Sequence, residues 1–271
     1  MAPETVVLGD GAQGHWLGDK NAKNVLIWYH GGGFCLPANV GYFHFLDGLV
    51  RSSRDAGNDL AVFLLTYTLA PGAAYPTQLL QAVHALRYIL KQTGRRPSQV
   101  LLGGDSAGGN LVMGVLSHLA HGHPAIPELK MEEALRGIVA IAPWTLLGED
   151  HSHRQVYSGG DIITPQVDMP WSTAFLGASA KDYFTSASTA PSTWFEPFPV
   201  QHTLICGGGS EILLPAIEDL AARLQAAGLP DVELFVADRE CHVAPVYHIY
   251  VGDFKETQQG KKVKAWLKAI L

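Results

Sequence analysis

Apolar residues along the 271-residue chain fall into two alternating patterns. Short unbroken runs occur at Val25 to Tyr29, Leu60 to Thr66, Val100 to Leu102, Ile138 to Ala142, Thr203 to Cys206 and Val232 to Val236. Runs of this length without polar alternation predict strands buried on both faces, the habit of a parallel sheet. Between them apolar residues recur at helical spacing: Leu79, Val83, Leu86 and Leu90, then Leu111, Val115, Leu116 and Leu119, then Ile217, Leu220, Ala221 and Leu224. A last helix is expected around Val263 to Ile270. The alternation predicts an α/β fold, an open and mostly parallel central sheet with helices on both faces.

The rhythm stops between Thr145 and Val200. No strong strand appears there, and Pro165, Pro170, Pro191, Pro197 and Pro199 punctuate Trp171, Phe175, Tyr183, Trp194 and Phe195. The stretch is too long for a plain loop. It is expected to form a small cap of short helices over the carboxyl ends of the strands, where open α/β sheets bind ligands. The whole chain, 1–271, then reads as one domain with a cap insertion at approximately 145–200.

Composition narrows the partners. With 47% hydrophobic residues the chain can bury a large core, and its 16% charged residues, net charge of −6 and lack of a basic run argue against nucleic acid. The most apolar stretch, Leu60 to Ala70, is broken by Thr66 and Thr68 and falls well short of the ~20 residues that span a bilayer, so no integral membrane segment is expected. Residues 1–10 carry Glu4 and Asp10 and lack the positive start and apolar block of a secretory leader, which predicts a cytoplasmic protein. Cys35, Cys206 and Cys241 are too few and too scattered for a disulfide framework or a zinc site. Nothing in the pattern carries the signature of a particular oligomeric state.

Two glycine-rich strings follow strand-like runs. Gly104-Asp105-Ser106-Ala107-Gly108 stands between the run ending at Leu102 and a helical pattern. A serine on a sharp strand-to-helix turn is exposed for attack, and the turn needs small neighbours because other chain passes close to it. His30-Gly31-Gly32-Gly33 leaves the run ending at Tyr29. Read blandly it is a flexible turn. Beside a nucleophilic serine it is an oxyanion hole, whose amides face the oxygen that becomes negative when a carbonyl carbon is attacked. Ser106 is thus the candidate nucleophile.

A serine needs a histidine to take its proton and a carboxylate to hold that histidine, and behind such a turn they follow in the order acid, then histidine. His242 lies just past the run ending at Val236, at the same sheet edge as Ser106, whereas His202 begins a strand at the other edge and His248 is expected on a short helix beyond. Cys241 adjoins His242, but neighbouring side chains on a strand end point to opposite sides, which argues against a cysteine nucleophile. Glu211 follows the run ending at Cys206 and is the favoured acid, with Asp238 in reserve; Asp219 is too deep in the next helix, and Glu218 and Glu240 read as solvated charges. The cluster Glu149-Asp150-His151-Ser152-His153 has two histidines but no further spaced ligands, so no metal is expected there.

These motifs, with Tyr67-Thr68-Leu69-Ala70-Pro71 and Tyr75-Pro76, resemble the hormone-sensitive-lipase-like branch of the α/β-hydrolases, the α/β-hydrolase fold-3 group. The resemblance runs from the HGGG loop to the C-terminus and is weakest over 145–200. It implies the α/β-hydrolase fold, Ser106 as nucleophile, His242 as base, and an oxyanion hole from the amides of Gly32, Gly33 and Ala107. It also implies carboxylic ester hydrolysis through an acyl-enzyme, without metal or organic cofactor, and the aromatic residues of the cap suit a small or medium, largely apolar small-molecule ester. Two features depart from the family's pattern. The acid is usually aspartate, and glutamate sets the carboxylate about one carbon–carbon bond (~1.5 Å) further out, a change frequent in the family's fungal-looking members. The segment before His30 is short, which predicts a thinner cap. The same triad would also serve an amide hydrolase or an acyltransferase, and a binding protein of this fold without catalysis is the third reading.

Overall fold

Eight strands form one sheet: β1 (Glu4–Val7), β2 (Gln13–Leu17), β3 (Asn24–Tyr29), β4 (Leu60–Thr66), β5 (Val100–Asp105), β6 (Gly137–Ile141), β7 (Thr203–Gly208) and β8 (Val232–Ala237). They lie in the order β1-β2-β4-β3-β5-β6-β7-β8. A computed structural model describes residues 4–149 and 160–271 of the chain. The six apolar runs become β3 to β8, and every pairing among them is parallel. β3, β5, β6 and β7 are buried along their whole length, as expected of strands covered on both faces. β8 is the sheet edge and departs from that pattern, being only half-buried along most of its length.

The first two strands pair antiparallel at the other edge, β1 on β2 and β2 on β4. In β2 buried and partly exposed residues alternate, so its sequence has none of the continuous apolarity of the central strands.

Seven α-helices connect these strands among the described residues: α1 (Val40–Asp55), α2 (Thr77–Lys91), α3 (Ala107–His121), α4 (Asp168–Leu176), α5 (Leu214–Ala226), α6 (Ala244–Tyr250) and α7 (Gln258–Ile270). α1 packs with α6 and α7, and α2 packs with α3, so both faces of the sheet are covered. α1 was not foreseen, although Tyr42, Phe45, Leu46, Leu49 and Val50 form its buried face and the Asn39 side chain caps its start by accepting from the Gly41 amide.

Residues 160–200 contain α4 and three short 3₁₀ turns, at Pro165–Val167, Ala187–Thr189 and Ser192–Trp194. α4 is fastened to the chain leaving β6. The Asp168 carboxylate accepts from Trp144 Nε1 at 2.9 Å and from the Gly148 amide at 2.6 Å, and that amide also donates to Ser172 Oγ at 2.8 Å. Phe175 stacks on Phe34 at 3.6 Å, so the helix lies against the loop that follows β3. His151 and His153 lie outside the described residues. No helix among the described residues is long and apolar enough to cross a membrane.

Candidate active site

At the carboxyl end of β5 the backbone reverses into α3 through Ser106, at φ 51° and ψ −118°. A non-glycine residue there carries strain, of the order of 1–3 kcal/mol, that the surroundings must impose. They do so from the end of β6 and the chain leaving it: the Ser106 amide donates to the Ile141 carbonyl at 2.9 Å, and the Ser106 carbonyl accepts from the Trp144 amide at 3.0 Å. Gly108 is required by contact, because a Cβ there would stand 1.8 Å from the Tyr29 carbonyl oxygen. Ser106 keeps 7% of its surface open.

The HGGG loop is tied to this turn through Asp105, to which the sequence reading gave no role. Asp105 is fully buried; its two oxygens accept from Trp28 Nε1 at 3.0 Å and from the Tyr42 hydroxyl at 2.6 Å, and the Tyr42 oxygen accepts from the Gly31 amide at 2.9 Å. Burial pushes the Asp105 carboxyl up to about 6, against the pull of its donors. His30 is buried, stacked on Tyr67 at 4.2 Å, and burial pulls its imidazole down to about 4. The neutral ring donates from Nδ1 to the Gly31 carbonyl, 2.7 Å away. His30 thus shapes the loop.

Gly33, at φ 58°, has the Trp171 ring so close that a Cβ would meet it at 2.1 Å. The Gly32 carbonyl turns inward and accepts from the amides of Cys35 and Leu36, both at 2.9 Å. Among the described residues no acceptor takes the amides of Gly32, Gly33 or Ala107, the last being the first residue of α3. Unclaimed amides at a helix N-terminus favour an anion.

Glu211 and His242 meet at the ends of β7 and β8. Glu211 Oε1 lies 3.3 Å from His242 Nδ1, and Oε2 accepts from the Gly208 amide at 2.7 Å. Both side chains are out of water, at 0% and 3% exposure, so the pairing is not screened. Burial pulls His242 down, but the hydrogen bond and charge of Glu211, with the charges of Asp161 and Asp105 beyond, outweigh it and hold the imidazole above its ordinary value. Burial pushes Glu211 up, and its bonds to His242 and Gly208 pull it back. Val243, directly after His242, is β-branched yet left-handed at φ 49° and ψ 40°, a second strained position.

The structure brings the predicted acid and base together and leaves the serine contact open. Among the described residues the Ser106 hydroxyl makes no hydrogen bond, as is common where a catalytic contact closes only around substrate. Asp238 is on the surface beside Arg239, with 84% of its side chain exposed. Glu240 is not a solvated charge: it is buried and accepts from the amides of Gln258 and Gln259 at the start of α7. Burial raises the Cys241 thiol to about 11, which keeps it protonated. A narrow pocket opens from Ser106, walled by Trp144, Ile163, Val167, Trp171 and Leu213. Its free volume of about 20 Å³ is room for about one ordered water.

Comparison with known proteins gives a consistent picture. A family profile for the alpha/beta hydrolase fold matches residues 26–246. Steryl acetyl hydrolase 1 of Saccharomyces cerevisiae is 32% identical over 176 residues, 62% of this chain and 38% of that protein. Hormone-sensitive lipase of Mus musculus is 28% identical over 173 residues, 62% of this chain and 21% of that protein. The chain therefore spans well under half of these two relatives. Carboxyl esterase 2 from the mycorrhizal fungus Tuber melanosporum superposes with a TM-score of 0.79 over 99% of this chain and 87% of that one, at 23% identity.

Proposed function

Since the chain belongs to the α/β-hydrolase family, in its hormone-sensitive-lipase-like branch, we propose that it hydrolyses small carboxylic esters through an acyl-enzyme on Ser106. The observation that carries this reading is the buried Glu211–His242 pair, 3.3 Å apart, at the sheet edge where the strained Ser106 turn also lies.

In this reading His242 Nε2 takes the Ser106 proton as Oγ attacks the carbonyl carbon, and Glu211 holds Nδ1–H and stabilises the imidazolium that forms. The amides of Gly32, Gly33 and Ala107 receive the oxyanion. When the intermediate collapses, the ester C–O bond breaks and the alcohol leaves with the proton from His242. A water molecule then gives its proton to His242 and attacks the acyl carbon, releasing the acid and restoring the serine. No cofactor is needed. The raised basicity of His242 suits the proton it must accept, and its activity as a base is lost as pH falls through its pKa.

Residues 160–200 are proposed as the described part of the cap, with α4 closing the site from above. Trp144 and Trp171 wall the pocket that opens from Ser106, and its small free volume favours a short acyl group. The test is labelling with a fluorophosphonate together with hydrolysis of p-nitrophenyl acetate. The wild-type chain should do both and Ser106→Ala neither; labelling that persists in Ser106→Ala would refute the assignment.

A further inference from the structure

Asp161 lies in the segment between β6 and β7, far along the chain from both the acid and the base. Its carboxylate nevertheless reaches the two loops that carry them. Oδ2 accepts from the Ile212 amide, next to Glu211, at 2.9 Å, and Oδ1 accepts from the amide of His242 itself at 2.9 Å. Oδ1 also accepts from the Ile162 amide at 2.8 Å, which fixes the carboxylate relative to its own backbone. The preceding residue is seated on the same loop: a Cβ on Gly160 would touch Ser210 Cβ at 3.1 Å.

We infer that Asp161 is a positioning residue, which holds Glu211 and His242 in register by taking one backbone N–H from each of their loops. The inference rests on the reading of Glu211 and His242 as acid and base. Its physical basis is geometric. β7 and β8 are paired as far as Gly208 and Ala237, and beyond those ends the amides of Gly209 and Ser210 donate to the carbonyls of Ala237 and Glu240, but these backbone bonds stop short of Glu211 and His242 themselves. Two amides accepted by one rigid carboxylate tie those loops together, with the bond from the Glu211 carboxylate to His242 as the side-chain counterpart. A misplacement of about 1 Å in such a pair costs roughly 100-fold in rate. The carboxylate also adds charge: among the described residues Glu211, Asp161 and Asp105 are the groups whose charges act on His242.

The two contributions separate in the variants. Asp161→Asn keeps one acceptor oxygen and loses the charge; Asp161→Ala loses both. The assay is p-nitrophenyl acetate hydrolysis across pH, with kcat expressed per site labelled to completion by fluorophosphonate and thermal melting run alongside. In Asp161→Ala kcat should fall ~10- to 100-fold with KM little changed. Asp161→Asn should recover part of that loss. The acidic midpoint of the kcat profile should move to lower pH in both, because a negative charge that favours the imidazolium is gone. A kcat per labelled site equal to wild type in both variants, or no higher in Asn than in Ala, overturns the inference. The Ser106→Ala control decides the site reading independently: if that variant is inactive while both Asp161 variants match wild type, only the role of Asp161 fails.

Discussion

Glu211 and Asp238 illustrate how much one side chain's surroundings decide. Both are acids in loops at the same sheet edge, yet Glu211 is buried against His242 and Asp238 is open to water. Glu211→Gln should lower kcat by about 10³- to 10⁴-fold, since the amide can stabilise the wrong imidazole tautomer and no longer offsets its charge. Asp238→Ala should leave kcat within about twofold, as expected for a surface change away from special contacts. Steady-state hydrolysis of p-nitrophenyl acetate checks both, and the opposite ranking would transfer the acid's role to Asp238. The extra length of glutamate is accommodated by its second oxygen, which the Gly208 amide holds at 2.7 Å.

Legibility in the sequence followed the range of the interactions. Runs such as Val100 to Leu102 could be read because a strand buried on both faces has no polar alternation to confuse it. β1 could not, because Glu4–Val7 is a four-residue edge strand whose two valines are exposed or half-buried and form no longer apolar run. α1 was readable in principle from its Asn39 cap and the spacing of its core residues, and was masked by Gly41 and the aromatic pair Tyr42-Phe43 that open it. At the site, local strings pointed to Ser106 and the HGGG loop, and chain order to Glu211 and His242. Asp161 left no such trace, since its partners are 51 and 81 residues away. α4 was expected only as part of an aromatic, proline-rich cap, whereas its role depends on where it packs. Trp171 projects from it onto Gly33 and the pocket beside Ser106. Trp171→Ala should therefore widen the acyl range. On p-nitrophenyl esters the ratio of kcat/KM for octanoate over acetate should rise by roughly tenfold, in line with what a few methylenes in an apolar pocket are worth. An unchanged ratio would mean that the acyl chain lies elsewhere.

At the scale of the whole molecule, the buried ionisable groups that join the HGGG loop to the serine turn link folding to pH in opposite directions. His30 is pulled from 6.5 to about 4. Unfolding lets it take a proton that the folded state refuses, so its contribution to stability is present above pH 6.5 and lost as pH falls towards 4. Asp105 is pushed from 3.8 to about 6. The folded state holds that proton longer than the unfolded chain, so its contribution is present below pH 3.8 and lost as pH rises through 6. Each shift spans about two units and is worth roughly 3 kcal/mol, and over the shared window the two slopes largely cancel. Removing either group should unmask the other. Asp105→Asn keeps an acceptor for Trp28 and drops the titration, so relative to wild type it should gain roughly 3 kcal/mol between pH 4 and pH 7. His30→Gln should show the converse, gaining relative to wild type as the solution is acidified over the same range. Urea denaturation of the three proteins at pH 4, 5, 6 and 7 measures the differences directly. Parallel stability curves would mean that neither group changes its proton affinity on folding, and the hydrogen-bond chain from Gly31 through Tyr42 to Asp105 would then owe nothing to its burial.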